Sequence, residues 1–89
     1  MAGKGLSVEF FFAPGCSRCA KAREALREVV TSTSRVEWKD VDIAKCPHRA
    51  VEVGVVSTPA VAIDGELIFE TTPTAAELRN AIQARARIG

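Results

Sequence analysis

The junction at residues 6–19 constrains this chain more than any other feature. Leu6 to Phe12 is an apolar run rich in Val and Phe, Ala13-Pro14-Gly15 breaks it, and Cys16-Ser17-Arg18-Cys19 follows at once. A run of that length and composition, closed by a Pro-Gly breaker, reads as a buried strand. From Cys16 to about Val30, the residues Cys19, Ala22, Leu26, Val29 and Val30 recur at helical spacing, while Arg18, Lys21, Arg23, Glu24, Arg27 and Glu28 fill the rest of the wheel. An amphipathic helix therefore begins at the cysteine pair. A chain that leaves a strand through a tight turn and enters a helix at Cys-x-x-Cys is directed toward an α/β architecture with a thiol at a helix N-terminus.

The remaining elements follow from local signals. Thr31 to Ser34 is a polar break, after which Val36, Trp38 and Val41 lie among charged residues in a strand-like stretch, with Trp38 read as packing. Pro47 is favoured at a first helical position, so a second helix starts there and runs to Gly54, with Cys46 at its N-cap and His48 exposed in its first turn. Pro59 to Asp64 and Glu66 to Glu70 are short apolar runs around Asp64-Gly65, a hairpin turn signal, and should pair antiparallel. Thr74-Ala75-Ala76-Glu77 reads as a capping box before a last helix carrying Leu78, Ala81 and Ile82. The order is β-α-β-α-β-β-α. A right-handed parallel βαβ unit followed by a helix and a hairpin gives one four-stranded mixed sheet with helices on both faces. Residues 1–89 show no repeat, linker or low-complexity segment and read as a single domain.

The cysteine spacing gains its chemical meaning from the helix. A helix N-terminus carries about half a positive charge and unpaired N–H groups, which stabilise an anion. Cys16 stands there, Arg18 and Lys21 add positive charge, and such settings lower a thiol pKa from about 8.5 to between about 3.5 and 7.5. Cys16 is then a nucleophile at neutral pH. Cys19, one turn on and on the apolar stripe, is placed to be more buried and to resolve a mixed disulfide formed at Cys16. Two other readings stay open: a pair of small buried residues, or a metal set of Cys16 and Cys19 completed by Cys46 and His48. Structural zinc sites space their second pair by two or more residues, whereas Cys46-Pro47-His48 has a spacer of one. No metal and no cofactor is called for.

Charge and cysteine usage narrow the function classes. Lys and Arg number 12 against 11 Asp and Glu, so no bulk positive field points to nucleic acid. No apolar run approaches the roughly 18 residues that span a bilayer, and the opening residues lead into Leu6 without a small-residue cleavage site. Three cysteines are few for a disulfide-stapled secreted scaffold. The expectation is a soluble, cytoplasmic monomer without a membrane partner. The odd thiol, Cys46, is the candidate for a secondary redox thiol, since the loops after two parallel strands gather at one sheet edge.

Taken together, Phe10-Phe11-Phe12-Ala13-Pro14-Gly15-Cys16-Ser17-Arg18-Cys19, then Val41-Asp42-Ile43, then Val55-Val56-Ser57-Thr58-Pro59 and the Asp64-Gly65 hairpin resemble the thioredoxin-like superfamily, in particular the small glutaredoxin-like thioredoxins. The resemblance covers nearly the whole chain. It implies a thioredoxin-like fold and a disulfide oxidoreductase in which Cys16 attacks and Cys19 resolves. It also implies that Pro59 is a cis-proline against the disulfide, and that the backbone at Thr58 pairs with an extended substrate segment. Pro14 and Arg18, flanking and within the motif, join Thr58 and Pro59 as candidate substrate-binding residues. The implied partners are disulfide-containing proteins and, as electron donor, a flavin reductase or a low-molecular-weight thiol. The alternatives are a glutathione-dependent glutaredoxin and a non-catalytic metal-binding module using Cys16, Cys19 and Cys46. The chain departs from both patterns. Where thioredoxins carry Trp-Cys-Gly-Pro-Cys and a buried Asp six residues before the first cysteine, it has Gly15, Ser17-Arg18 and Phe10. Where glutaredoxins carry a basic residue, a Pro-aromatic pair and a glutathione-holding turn, it has Ala13, Ser17-Arg18 and Asp64-Gly65-Glu66.

Overall fold

Strand β1 (Leu6–Phe12) alternates large apolar residues on one face with Ser7, Glu9 and Phe11 on the other, and Val8 to Phe11 are all buried. A strand that hides both faces belongs in the interior of a sheet with helices on either side. A computed structural model, describing residues 5–88, has this arrangement. Met1–Lys4, where the reading of a missing cleavage site partly fell, and Gly89 lie outside the described residues.

The sheet order is β2-β1-β3-β4. β2 (Val36–Asp42) runs parallel to β1, β3 (Ala60–Ile63) antiparallel to it, and β4 (Glu66–Phe69) antiparallel to β3. With α1 (Ser17–Thr31), α2 (Pro47–Val53) and α3 (Ala75–Ile88), the chain order is the expected β-α-β-α-β-β-α. Val8, Phe10, Val61 and Ile63 form one apolar face with Leu26, Val29 and Val30 of α1 and Leu78 and Ile82 of α3. Phe11, Val41, Ala60 and Ala62 form the other, against Ile43, Val53 and Val55.

The turn and cap signals are realised. Asp64 and Gly65 take φ of 52° and 83°, the two left-handed positions that a tight hairpin of this kind needs. The Asp64 N–H donates to the Ser7 carbonyl at 2.8 Å, and the Ser7 N–H to Asp64 Oδ1 at 2.9 Å. The Thr74 N–H donates to Glu77 Oε1 at 2.8 Å and the Glu77 N–H to Thr74 Oγ1 at 3.1 Å, a reciprocal capping box. Gly54 closes α2 at φ 95°, where L side chains are disfavoured.

A buried charge on β1 was not read from the sequence. Glu9 is 6% exposed, and Arg49 of α2 grips it with two hydrogen bonds, Nε to Oε2 at 2.7 Å and NH2 to Oε1 at 2.6 Å. The register sets Glu9 against Ala62, whose methyl leaves room above the sheet. Hydrogen bonds to Glu9 first, and then to Glu52, hold the Arg49 guanidinium above its ordinary pKa. Arg49→Met strands a buried carboxylate, and urea unfolding should show a loss of about 2–3 kcal/mol, below the range for a fully enclosed pair because Arg49 is partly exposed. Glu52→Ala should cost at most about 0.5 kcal/mol, as the ion pair it removes is at the surface.

Candidate active site

Parallel pairing brings the C-terminal ends of β1 and β2 to one edge of the sheet. The segments after them, 13–16 and 43–46, start there. β3 runs the other way, and its ladder sets Phe11 against Ala60, one step from Pro59, so the Thr58-Pro59 segment returns to the same edge. β4 ends there as well, and Ser57 Oγ donates to the Glu70 carbonyl at 3.3 Å. Four loops from distant parts of the chain thus meet at the edge where α1 begins.

Cys16 is the N-cap of α1, with extended backbone, and forms a disulfide with Cys19 across a Cα separation of 5.3 Å. The Cys19 N–H donates to Cys16 Sγ at 3.2 Å. That donor is one of the unpaired groups of the helix N-terminus, aimed at the Cys16 sulfur. No acidic residue in the first turn opposes it. The pair is unequal: Cys16 is half-buried and Cys19 is 4% exposed, packed with Ala22 and Leu26.

An open groove of about 450 Å³ runs beside the pair, lined by Phe10, Phe12, Pro14, Cys16, Ala20 and Arg23. Pro14 therefore shares a surface with the disulfide. Arg18 is exposed and is not part of the groove lining. Arg23 takes that place instead. It lies seven residues from Cys16, two turns along the same helix face, a spacing visible in the sequence and not used in reading it. Thr58 is half-buried and Pro59 buried, and the Thr58-Pro59 bond is cis, as the resemblance implied. Val56, two residues before Thr58, is 85% exposed.

Two sequence comparisons are corrected by the topology. Asp64-Gly65-Glu66, set above against a glutathione-holding turn, lies at the opposite end of the sheet from Cys16, bonded to Ser7 at the start of β1. The segment after β4, beginning at Glu70, is the one at the cysteine edge. The metal set fares no better: among the described residues no group of three or more His, Cys, Asp or Glu side chains stands together to hold a metal ion, so Cys16, Cys19, Cys46 and His48 are not assembled into one. Cys46 is exposed and caps α2 without a side-chain hydrogen bond. His48 is exposed in the first turn. Among the described residues no helix is long and apolar enough to cross a membrane.

A Cys-x-x-Cys disulfide spanning the start of a helix, at the edge where a four-stranded mixed sheet gathers its loops, defines the class of thioredoxin-fold thiol proteins. Residues 6–83 match the family model of the thioredoxin domain, and the chain belongs to the thioredoxin family. A thioredoxin of Methanocaldococcus jannaschii is 30% identical over 81 residues, covering 90% of this chain and 95% of its own length. Among solved structures, the NTD_N/C domain of alkylhydroperoxide reductase AhpF from Enterococcus faecalis matches with a TM-score of 0.76 and 30% identity, covering 88% of this chain and 38% of that one. Fasciola hepatica thioredoxin matches at 0.77 with 23% identity, over 91% of this chain and 81% of its own, a likeness of fold. The protein is a thiol-disulfide oxidoreductase.

The unequal exposure of the pair sets an order of reactivity. Reduced protein given limiting iodoacetamide at neutral pH should lose Cys16 well before Cys19, read by peptide mass spectrometry. Faster labelling of Cys19 would reverse the assignment.

Proposed function

We propose that this protein reduces disulfides in other proteins, with Cys16 as nucleophile and Cys19 as resolving thiol. The observation that carries the reading is the asymmetry of the pair: Cys16 is accessible and receives a helix N–H on its sulfur, while Cys19 is packed in the core. The Cys16 thiolate attacks one sulfur of the target disulfide, forming a mixed disulfide and expelling the other sulfur as a thiolate that takes a proton from water. Cys19 then loses its proton and attacks Cys16 Sγ. The Cys16–Cys19 disulfide forms, the second target sulfur leaves and is protonated, and two electrons have passed to the target. The backbone at Thr58, between exposed Val56 and buried Pro59, is the segment that pairs with the extended target chain. A flavin reductase or a low-molecular-weight thiol returns the electrons, in a reducing cytoplasm.

Reduction of an insulin-type disulfide, driven in one arm by a reductase with NADPH and in the other by glutathione, tests the activity and names the donor. Failure in both arms overturns the reading. Cys16→Ser should abolish turnover, whereas Cys19→Ser should accumulate covalent partners that dithiothreitol releases. A Cys19→Ser protein that traps nothing and keeps full activity would remove the resolving role. Cys46, proposed as a secondary thiol open to mixed disulfides under oxidation, stands outside this cycle, so Cys46→Ser should leave basal reduction intact.

A further inference from the structure

Gly15, immediately before Cys16, has φ +76°, and a Cβ built on it would meet nothing within 4 Å. Gly15 is part of the groove lining beside Cys16 and brings no side chain to cover it. We propose that the groove is a subsite for an aromatic or large aliphatic side chain that the target polypeptide carries next to its cysteine, followed by an acidic residue turned toward Arg23. The proposal rests on the disulfide-reducing reading above and names the substrate class within it.

Size, chemistry and rigidity agree. At about 450 Å³, the groove falls within the range of preformed sites for small molecules and holds one side chain with ease. Its apolar lining is aromatic and braced from behind. Phe12 stacks on Phe10 with ring centroids 6.5 Å apart, and Phe10, fully buried, stacks on Trp38 at 5.4 Å. An incoming ring therefore meets a wall that needs no rearrangement, which limits the ordering cost of binding.

Arg23 gives the groove a polar end. Its guanidinium stands 5.8 Å from the centroid of the Phe12 ring, and its NH2 donates to Asp40 Oδ2 at 2.8 Å. Asp40 is itself fixed, its Oδ1 accepting from Trp38 Nε1 at 2.9 Å. A guanidinium has five N–H donors, and the bond to Asp40 uses one; with 43% of the side chain exposed, the others are open to a carboxylate. Arg18 and Lys21 are exposed nearby on α1, and its first turn holds no acidic residue. Glu24, exposed beside Arg23, is not part of the groove lining, where Arg23 is the charged residue, so the groove itself favours an acidic side chain over a basic one.

The test uses the whole protein and two peptides joined through a disulfide to a common chromophore, one continuing Cys-Phe-Asp and the other Cys-Gly-Asn, with hydroxyethyl disulfide as a substrate too small to fill the groove. Wild-type protein should prefer the Phe-Asp peptide by about tenfold in kcat/KM, mainly through KM. Ala20→Phe, at an exposed position of α1 that lines the groove, should bring that ratio to about one by filling the subsite with the protein's own ring. Arg23→Gln should lower it about threefold, with partial rescue by Arg23→Lys. Equal wild-type rates on the two peptides overturn the subsite while leaving disulfide reduction standing. A preference that survives Ala20→Phe overturns it as well, since the selectivity then arises elsewhere. If neither peptide nor hydroxyethyl disulfide is reduced, the oxidoreductase reading fails first and the subsite with it. The wild-type comparison decides the matter even if a variant folds poorly.

Discussion

The site depends on β1 being buried on both faces. Because Val8 and Phe10 pack against α1 and α3 while Phe11 packs against the α2 side, β1 cannot be an edge strand, and it takes β2 on one flank and β3 on the other. The parallel partner delivers its loop to the C-terminal end of β1, and the antiparallel partner begins there. One packing requirement thus brings Pro14, Cys16, Thr58 and Pro59 to a common edge, although Thr58 lies 42 positions after Cys16 in the chain. α1 starts at the same edge because Ala13-Pro14-Gly15 turns the chain at once, with the Cys16 N–H bonded back to the Ala13 carbonyl at 3.3 Å.

The second face solves a different problem. A sheet covered by α2 through apolar contact alone would have only Val53 and Ala50 of that short helix to offer, since Val51 is 79% exposed. Glu9 and Arg49 supply the missing fixation, and Ala60 and Ala62 keep the surface low enough for the pair to form. Burying a carboxylate is costly unless it is paired and hydrogen-bonded, and the two-pronged contact satisfies both its oxygens. This anchor governs the placement of α2, which in turn sets where Val55 to Thr58 leave for the cysteine edge. Stability on this face therefore bears on the geometry of the proposed substrate-pairing segment through the chain itself.

How far the sequence could be read depended on whether the signal was local. The Asp64-Gly65 turn, the Thr74 to Glu77 box, Pro47 at the start of α2 and the stripe from Cys19 to Val30 are all short-range patterns, and each element formed where its pattern lay. Glu9 was opaque because a charge inside an apolar run gives no sign of its partner forty residues away. Arg23 was opaque for a related reason: its helical spacing from Cys16 was visible, but its bond to Asp40 requires knowing that β2 lies beside β1. The mistaken comparison of Asp64-Gly65 with a glutathione-holding turn had the same origin, since strand direction decides which end of a sheet a turn occupies. Local chemistry was legible, and juxtaposition across the sheet was not.

Phe10 connects these observations to the chemistry. It stands where thioredoxins bury a carboxylate, and its ring is fully enclosed between Phe12 and Trp38. In the proposed cycle Cys19 has to shed a proton, and the rings of Phe10, Phe12 and Trp38 themselves offer no acceptor. The groove lined by both cysteines is open to solvent, so in that cycle water entering it would take the proton. An occupied groove would shut that route while the mixed disulfide lasts. Resolution by Cys19 would then be fastest with targets whose side chain leaves the groove early, so that tight filling of the groove would favour capture at Cys16 and slow release. The same open space that gives this chain a basis for choosing its targets would limit how firmly it holds them.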